Sequence, residues 1–238
     1  MLKEAFKLLP KEDFLYYGDS KNAPYGTKKV EEVKKLTFNA IDFLMNKGIK
    51  ALVVACNTAT SVTINDLRKT YDIPVIGIEP ALKPAVELKK SGKIIIMATP
   101  MTLAEKKFAN LMELYRETED IEPLPCPGLV EFIEGGKVSG EEIYNYLKAK
   151  FKKYNNEKIS AIVLGCTHYP FIKETLREVI DNKAVIIDGS LGTSKELKRQ
   201  LKDRNILRKE DRVGEVTIFN SREDEEIINL SYNLLNKK

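Results

Sequence analysis

Two cysteines stand in near-twin settings, Val53-Val54-Ala55-Cys56-Asn57-Thr58-Ala59-Thr60 and Val163-Leu164-Gly165-Cys166-Thr167-His168-Tyr169-Pro170. Each stretch reads as a buried apolar strand that ends at a small residue, then a thiol, then hydroxyl and amide side chains opening a helix. A thiol has a reference pKa near ~8.5, so little of it is thiolate at neutral pH. The unpaired N–H groups and dipole of a helix amino terminus favour an anion and are expected to lower that value at both positions. Two thiols delivered in the same way suit a reaction that needs one on each face of a carbon. One, as thiolate, removes a proton, and the other returns a proton from the opposite side, which inverts the centre. The α-carbanion of an amino acid is stabilised only by its carboxylate. With no sign of a pyridoxal site, such a reaction must rest on positioning, desolvation and donors to that carboxylate.

A cysteine taken alone more often packs as a small hydrophobe. Cys126, set between Pro125 and Pro127 without polar companions, is read that way. His168, the only histidine, lies two residues beyond Cys166 and is a candidate proton relay or substrate-carboxylate partner. Glu134 has two readings, as an orienting partner for that histidine or as a solvated charge at a helix end. A cysteine hydrolase would need only one thiol, with a His–Asn/Asp partner set and an oxyanion hole. A redox dithiol would more often show CxxC. Neither GxGxxG nor a GxxxxGK[ST] loop occurs, so nucleotide chemistry is not signalled.

Composition narrows the class. Hydrophobic residues at 43% and charged residues at 31% describe a folded globular chain rather than a disordered one. The net charge of +4 is spread over interspersed Lys and Glu without a basic stripe carrying aromatics, so no nucleic-acid partner is expected. No apolar run approaches the ~18 residues needed to span a bilayer, and no membrane association is expected. Three cysteines without a CxxC pair fit a reducing cytoplasm. A single histidine leaves little material for a metal site.

The elements that must carry the thiols alternate along the chain. Strands are expected at 14–17, 51–55, 75–78, 93–98, 159–164, 184–187 and 216–219. The near-continuous Ile/Val/Leu character of the middle ones suits a parallel sheet covered on both faces. Amphipathic helices lie between them. Val30, Val33, Leu36, Thr37, Ala40 and Leu44 share one face, as do Ile143, Leu147 and Phe151, and Leu191, Ser194, Leu197 and Leu201. Asn22-Ala23-Pro24-Tyr25-Gly26 reads as a turn into a long helix, and Pro123 to Gly128 as a rigid extended link before a short helix ending at Gly135-Gly136. The expected fold class is α/β, with two pseudo-symmetric parallel-sheet lobes and an active site in the cleft between them.

With these residues set out, the chain resembles the bacterial glutamate racemases, of the cofactor-independent aspartate/glutamate racemase superfamily. The resemblance runs essentially from Leu2 to the carboxyl end. It rests on Tyr17-Gly18-Asp19-Ser20 with Pro24-Tyr25-Gly26, Ala55-Cys56-Asn57-Thr58-Ala59, Ala98-Thr99-Pro100-Met101-Thr102 and Gly165-Cys166-Thr167-His168-Tyr169-Pro170, in that order. The resemblance implies interconversion of L- and D-glutamate without cofactor or metal, for peptidoglycan synthesis. It makes Cys56 and Cys166 the acid/base thiols, with His168 assisting Cys166 and Glu134 supporting that histidine. It sets Asn57, Thr58, Thr167 and His168 on substrate, with Tyr25 and Gly26 closing part of the pocket and Thr99 and Thr102 lining it. It also implies a homodimer and a discontinuous first lobe, 1–76 plus 189–238, around a second lobe, 77–188. The alternatives are an aspartate racemase of the same superfamily or a non-catalytic amino-acid-binding relic.

The family opens with a short apolar strand and an Asp-Ser-Gly-x-Gly-Gly loop. This sequence begins at Met1-Leu2-Lys3-Glu4, inside the helix that follows that loop. The expectation is therefore a start misassigned at an internal Met or alternative start codon, the alternative being a genuinely truncated, impaired racemase. The absent Asp would be the partner of Cys56, and neighbouring strand edges would lie unpaired.

Overall fold

The computed structural model describes residues 1–181 and 184–236 of the 238-residue chain. Residues 182, 183, 237 and 238 of the two expected lobes lie outside the described residues. In chain order the first elements are α1 (Leu2–Leu8), β1 (Phe14–Gly18), α2 (Val30–Met45), β2 (Leu52–Val54), α3 (Asn57–Thr70) and β3 (Val75–Gly77). Next come α4 (Leu82–Glu87), β4 (Lys93–Ala98), α5 (Pro100–Ala104), α6 (Lys106–Glu113), β5 (Ile121–Pro125), α7 (Leu129–Glu134) and α8 (Glu141–Phe151). The chain ends with β6 (Ile159–Leu164), α9 (Lys173–Val179), β7 (Val185–Asp188), α10 (Ser190–Asp203), β8 (Val216–Asn220) and α11 (Glu225–Asn236). Every strand pairing described is parallel, as the strand–helix alternation requires. Among the described residues no helix is long and apolar enough to cross a membrane.

The chain divides into two compact units, Met1–Ala55 with Val62–Ile78 and Ser190–Lys238, and Cys56–Ser61 with Glu79–Gly189. In the first unit β1 pairs with β8 and β2 with β3, as two separate two-stranded sheets. Helix α1 packs on α10, and Ala5, Leu9, Ile76, Leu197 and Leu201 form a buried cluster. Helix α2 buries Val33, Thr37 and Ile41, a stripe with the i, i+4, i+8 spacing of one helix face. Two residues expected on buried faces are exposed instead, Val30 at 38% and Leu191 at 47%. Both sit in the first turn of their helices, α2 and α10, ahead of the buried stripes that begin at Val33 and Thr193.

The second unit holds a four-stranded parallel sheet in the order β5-β4-β6-β7. Period-2 alternation sends successive residues of β4 and β6 into two different cores. Ile95, Met97, Ile162 and Leu164 meet Leu129 of α7, Ile143 and Leu147 of α8, and Leu176 of α9. Ile94, Ile96, Ala161 and Val163 meet Leu82 and Ala85 of α4 and Phe108 of α6. Coverage on both faces explains why these two strands read as unbroken Ile/Val/Leu runs.

Strand β5 corrects the expectation of an extended link at 123–128. The Ile94 N–H donates to the Asp120 carbonyl and the Cys126 N–H to the Ala98 carbonyl, so even-numbered residues of this segment face β4. Pro123 and Pro125 therefore fall on the alternate positions, whose N–H groups would point away from the sheet. Proline is tolerated at an edge strand for this reason. At the amino-terminal end of the sheet Lys93 pairs with Asp120, Glu122 and Glu157.

Candidate active site

Cys56 follows β2 and caps α3. Its carbonyl accepts the Thr60 N–H at 2.9 Å, and its sulfur accepts the Ala59 N–H at 3.4 Å. The thiol thus takes the place of the oxygen side chain usual at a helix N-cap. Cys166 follows β6 through Gly165, whose N–H donates to the Met97 carbonyl at 2.7 Å. A side chain at Gly165 would lie 2.9 Å from that same carbonyl oxygen and 3.0 Å from the Ala98 methyl, so the approach requires glycine. Cys166 does not enter an α-helix directly, contrary to the sequence reading. A 3-10 turn, Tyr169–Ile172, intervenes before α9. Pro170 accounts for it, because the residue before a proline is disfavoured in the α region. The Tyr169 N–H donates to the Cys166 carbonyl at 3.2 Å, and the backbone N–H groups of His168 and Tyr169 still favour an anion at the sulfur.

The expected lowering of both thiol pKa values does not occur. Burial pushes the Cys56 thiol above its usual value, against the opposing pull of hydrogen bonds from Ala59 and Thr58. Burial pushes Cys166 up to about 12, with the N–H donors opposing it and the neighbouring Cys56 adding to it. Loss of water around an ion outweighs two or three N–H dipoles here. Burial thus favours the neutral thiol at both positions. All three cysteines are free thiols.

His168 is 3.8 Å from the Cys166 sulfur through Nδ1 and 2.5 Å from Glu134 Oε1 through Nε2. A carboxylate only accepts, so Nε2 carries the proton and the Nδ1 lone pair faces the thiol. Of the two readings of Glu134, the structure brings it onto the histidine.

Three buried hydroxyls meet in a triangle. Thr58 is 3.1 Å from Thr99 and 3.2 Å from Thr102, and Thr99 is 3.0 Å from Thr102. Thr99 is the N-cap of α5, with Pro100 following it, and its oxygen accepts the Thr102 N–H at 3.3 Å. Asn57 is 4% exposed, and its carbonyl oxygen Oδ1 has no hydrogen-bond partner. Thr167 is half-buried in the turn between Cys166 and Tyr169.

Nine expected site residues thus share the second unit: Cys56, Asn57, Thr58, Thr99, Thr102, Glu134, Cys166, Thr167 and His168. Tyr25 and Gly26 belong to the first, in a 3-10 turn where the Tyr25 hydroxyl donates to Asp19 Oδ2 at 2.5 Å. Cys126 is buried, as expected, but has polar company. Its sulfur donates to the Leu124 carbonyl at 3.4 Å, and the Tyr146 hydroxyl lies against it. Sequence reasoning passed over Gly165 as a packing requirement and the Ala59 N–H as a sulfur ligand. The small residue between strand and thiol was the available signal for the first. Among the described residues no group of three or more His, Cys, Asp or Glu side chains converges as a metal shell would require.

The sequence profile of a family described as Asp/Glu/Hydantoin racemase matches residues 2–191. A glutamate racemase of Clostridium botulinum (strain Loch Maree / Type A3) is 84% identical over 238 residues, all of this chain and 93% of the relative. The crystal structure of glutamate racemase isoform RacE1 from Bacillus anthracis superimposes with a TM-score of 0.88 at 28% identity, covering 100% of this chain and 89% of that one. A Francisella tularensis glutamate racemase in complex with D-glutamate gives a TM-score of 0.84 at 28% identity, with the same coverage.

Proposed function

We propose that this chain, which belongs to the Asp/Glu/hydantoin racemase family, interconverts L- and D-glutamate by moving a proton across the α-carbon between Cys56 and Cys166. The observation that carries the reading is the pair of free thiols, Cys56 and Cys166, that follow β2 and β6 and share one compact unit. One of them has a histidine–glutamate pair in line behind it.

A productive cycle needs one thiolate and one thiol. His168 takes the proton of Cys166 on Nδ1, and Glu134 then neutralises the imidazolium through Nε2–H. The Cys166 thiolate removes the α-proton from one face as the Cys56 S–H protonates the other. The reverse reaction exchanges the roles, and each turnover leaves the proton count unchanged. Because burial keeps both thiols neutral in the free protein, ionisation belongs to the liganded state, where the substrate ammonium supplies a positive charge beside them. The buried, unpartnered Asn57 Oδ1 is an acceptor suited to that ammonium. Thr167 and the N–H groups after Cys166 are donors suited to the carboxylate. Aspartate as substrate is the weaker reading, since relatives at 84% identity carry the glutamate name. The product serves peptidoglycan synthesis, and we place the protein in the cytoplasm as a homodimer; its three free thiols suit a reducing compartment.

The test is circular dichroism of L- or D-glutamate incubated with the protein in heavy water, with deuterium at the α-carbon read by mass. Racemisation with deuterium entering the product enantiomer is expected. Cys56→Ala and Cys166→Ala each lose about 10²–10⁴-fold or more in rate, the range for a positioned acid or base. A binder without catalysis would give neither inversion nor deuterium.

A further inference from the structure

Proline has no N–H, so Pro125-Cys126-Pro127 offers its neighbours one backbone donor and three carbonyls. The donor, the Cys126 N–H, is spent on the Ala98 carbonyl at 3.0 Å. All three carbonyls accept from long side chains of other elements. Lys150 of α8 donates to the Pro125 carbonyl at 2.9 Å, and the Tyr146 hydroxyl of α8 to the Pro127 carbonyl at 2.8 Å. The Tyr169 hydroxyl donates to the Cys126 carbonyl at 3.3 Å. Two of these ties run to α8. The third runs to the segment that carries Cys166 and His168.

That third tie also differs in its surroundings. Tyr146 and Lys150 donate at the surface, where water can take their place. Tyr169 and Cys126 are both fully buried, so nothing replaces the Tyr169 hydroxyl. The Cys126 carbonyl has one other donor, the Leu129 N–H at 3.4 Å. Leu129 opens α7, whose last residue is Glu134. Tyr169 also donates its own N–H to the Cys166 carbonyl at 3.2 Å. One residue thus joins the approach to the helix bearing Glu134 to the turn bearing Cys166 and His168.

We propose that Tyr169 is a positioning residue whose hydroxyl holds His168 in register with Glu134. The inference rests on the racemase reading, in which that pair receives the Cys166 proton. The contact needs such a tie because no strand pairing spans it. Glu134 ends a six-residue helix, and His168 lies in the turn beyond β6. Tyr169 shares a buried apolar cluster with Leu129, Val130 and Ile133 of α7. Apolar packing is non-directional, so it opposes separation of the two segments but not sliding. A short N–H···O contact tolerates little sliding, because it weakens steeply as its angle closes. The phenol supplies the directional bond that packing lacks.

His168 is the only histidine, so protein labelled with 15N-histidine gives a single Nε2–H signal by NMR, without substrate. The experiment measures how fast that proton exchanges with water, beside thermal melting of each variant. Tyr169→Phe keeps the ring and its packing, and is expected to quicken exchange about two- to tenfold, the range for one lost hydrogen bond. Tyr146→Phe removes the neighbouring tie to α8 and is expected to stay within about twofold of the parent, since water can replace that hydroxyl. In turnover, kcat/KM for glutamate is expected to fall about two- to threefold in Tyr169→Phe. It should fall no further when Glu134 is already alanine, because both residues act through one contact. A Tyr169→Phe protein that melts lower yet keeps the parent's exchange rate overturns the proposal. So does a Tyr146→Phe protein that quickens exchange equally, or a full further loss on top of Glu134→Ala. Exchange requires no turnover, so a protein that failed to racemise glutamate would still show whether Tyr169 holds the histidine.

Discussion

Replacing Glu134 by Gln isolates what the charge behind His168 contributes. The Nε2–Oε1 separation of 2.5 Å marks a strong contact, and a hydrogen bond to a charged group is worth about 1.5–3 kcal/mol. The glutamine carbonyl can still accept from Nε2–H, so the variant keeps the geometry and loses only the charge-assisted part, about half. That leaves about 0.8–1.5 kcal/mol, or about 4- to 13-fold in rate. The side chains are 26% and 38% exposed, so water competes and the lower end applies, about fivefold. Enantiomers are equal in free energy in water, so kcat/KM must fall by the same factor from L- and from D-glutamate, although Glu134 stands behind Cys166 alone. The assay is steady-state circular dichroism from each enantiomer, with thermal melting as a check on folding. A variant that melts normally and stays within twofold of the parent in kcat/KM would refute the claim that the carboxylate acts through the histidine.

Four further outcomes follow from the same geometry. Both reacting thiols have raised pKa values in the free protein, and His168 retains the Cys166 proton within the complex, so the thiols are expected to impose no slope on kcat/KM between about pH 6.5 and 8.5. About a tenfold rise per pH unit across that window would mean that the proton leaves to solvent before the chemical step. For stability the raised values of Cys126 and Cys166, both at about 12, do impose a slope. Their contribution is complete below the unfolded value near 9 and is lost as pH rises toward 12, so the urea midpoint should fall across that window and stay level between pH 7 and 8.5. Thr37→Val removes a buried hydroxyl oxygen that has no partner in α2 and is expected to stabilise the protein by about 1 kcal/mol in urea unfolding. Gly165→Ala forces a methyl against the Met97 carbonyl and is expected to lower activity by more than stability, because the displaced segment carries Cys166; equal activity with normal melting would contradict this.

Strands β4 and β6 were legible because burial on both faces leaves an unambiguous run of Ile, Val and Leu. The parallel α/β class followed from that, and so did the delivery of a thiol at each strand end. Strand β5 was hidden by the same two prolines that protect it, since proline argues against a strand until its edge position is known. The direction of the thiol pKa shifts was misjudged for a different reason. The N–H donors at Cys56 and Cys166 are local and readable from sequence, whereas the burial that outweighs them depends on packing from distant segments. Distance along the chain also concealed the hydroxyl triangle. Thr58 and Thr99 are 41 residues apart, and no periodicity relates them. Glu134 lay undecided between two roles because only the folded chain brings it across 34 residues to His168.

The proline pair in β5 has a bearing on how copies of this sheet could meet. A neighbouring strand laid along β5 would find two of its expected donors missing and could form only half a ladder. The opposite border, β7, runs Val185-Ile186-Ile187-Asp188 and keeps every donor. Strand addition at the β5 border is therefore resisted by the chain's own prolines, without any charged side chain having to guard it.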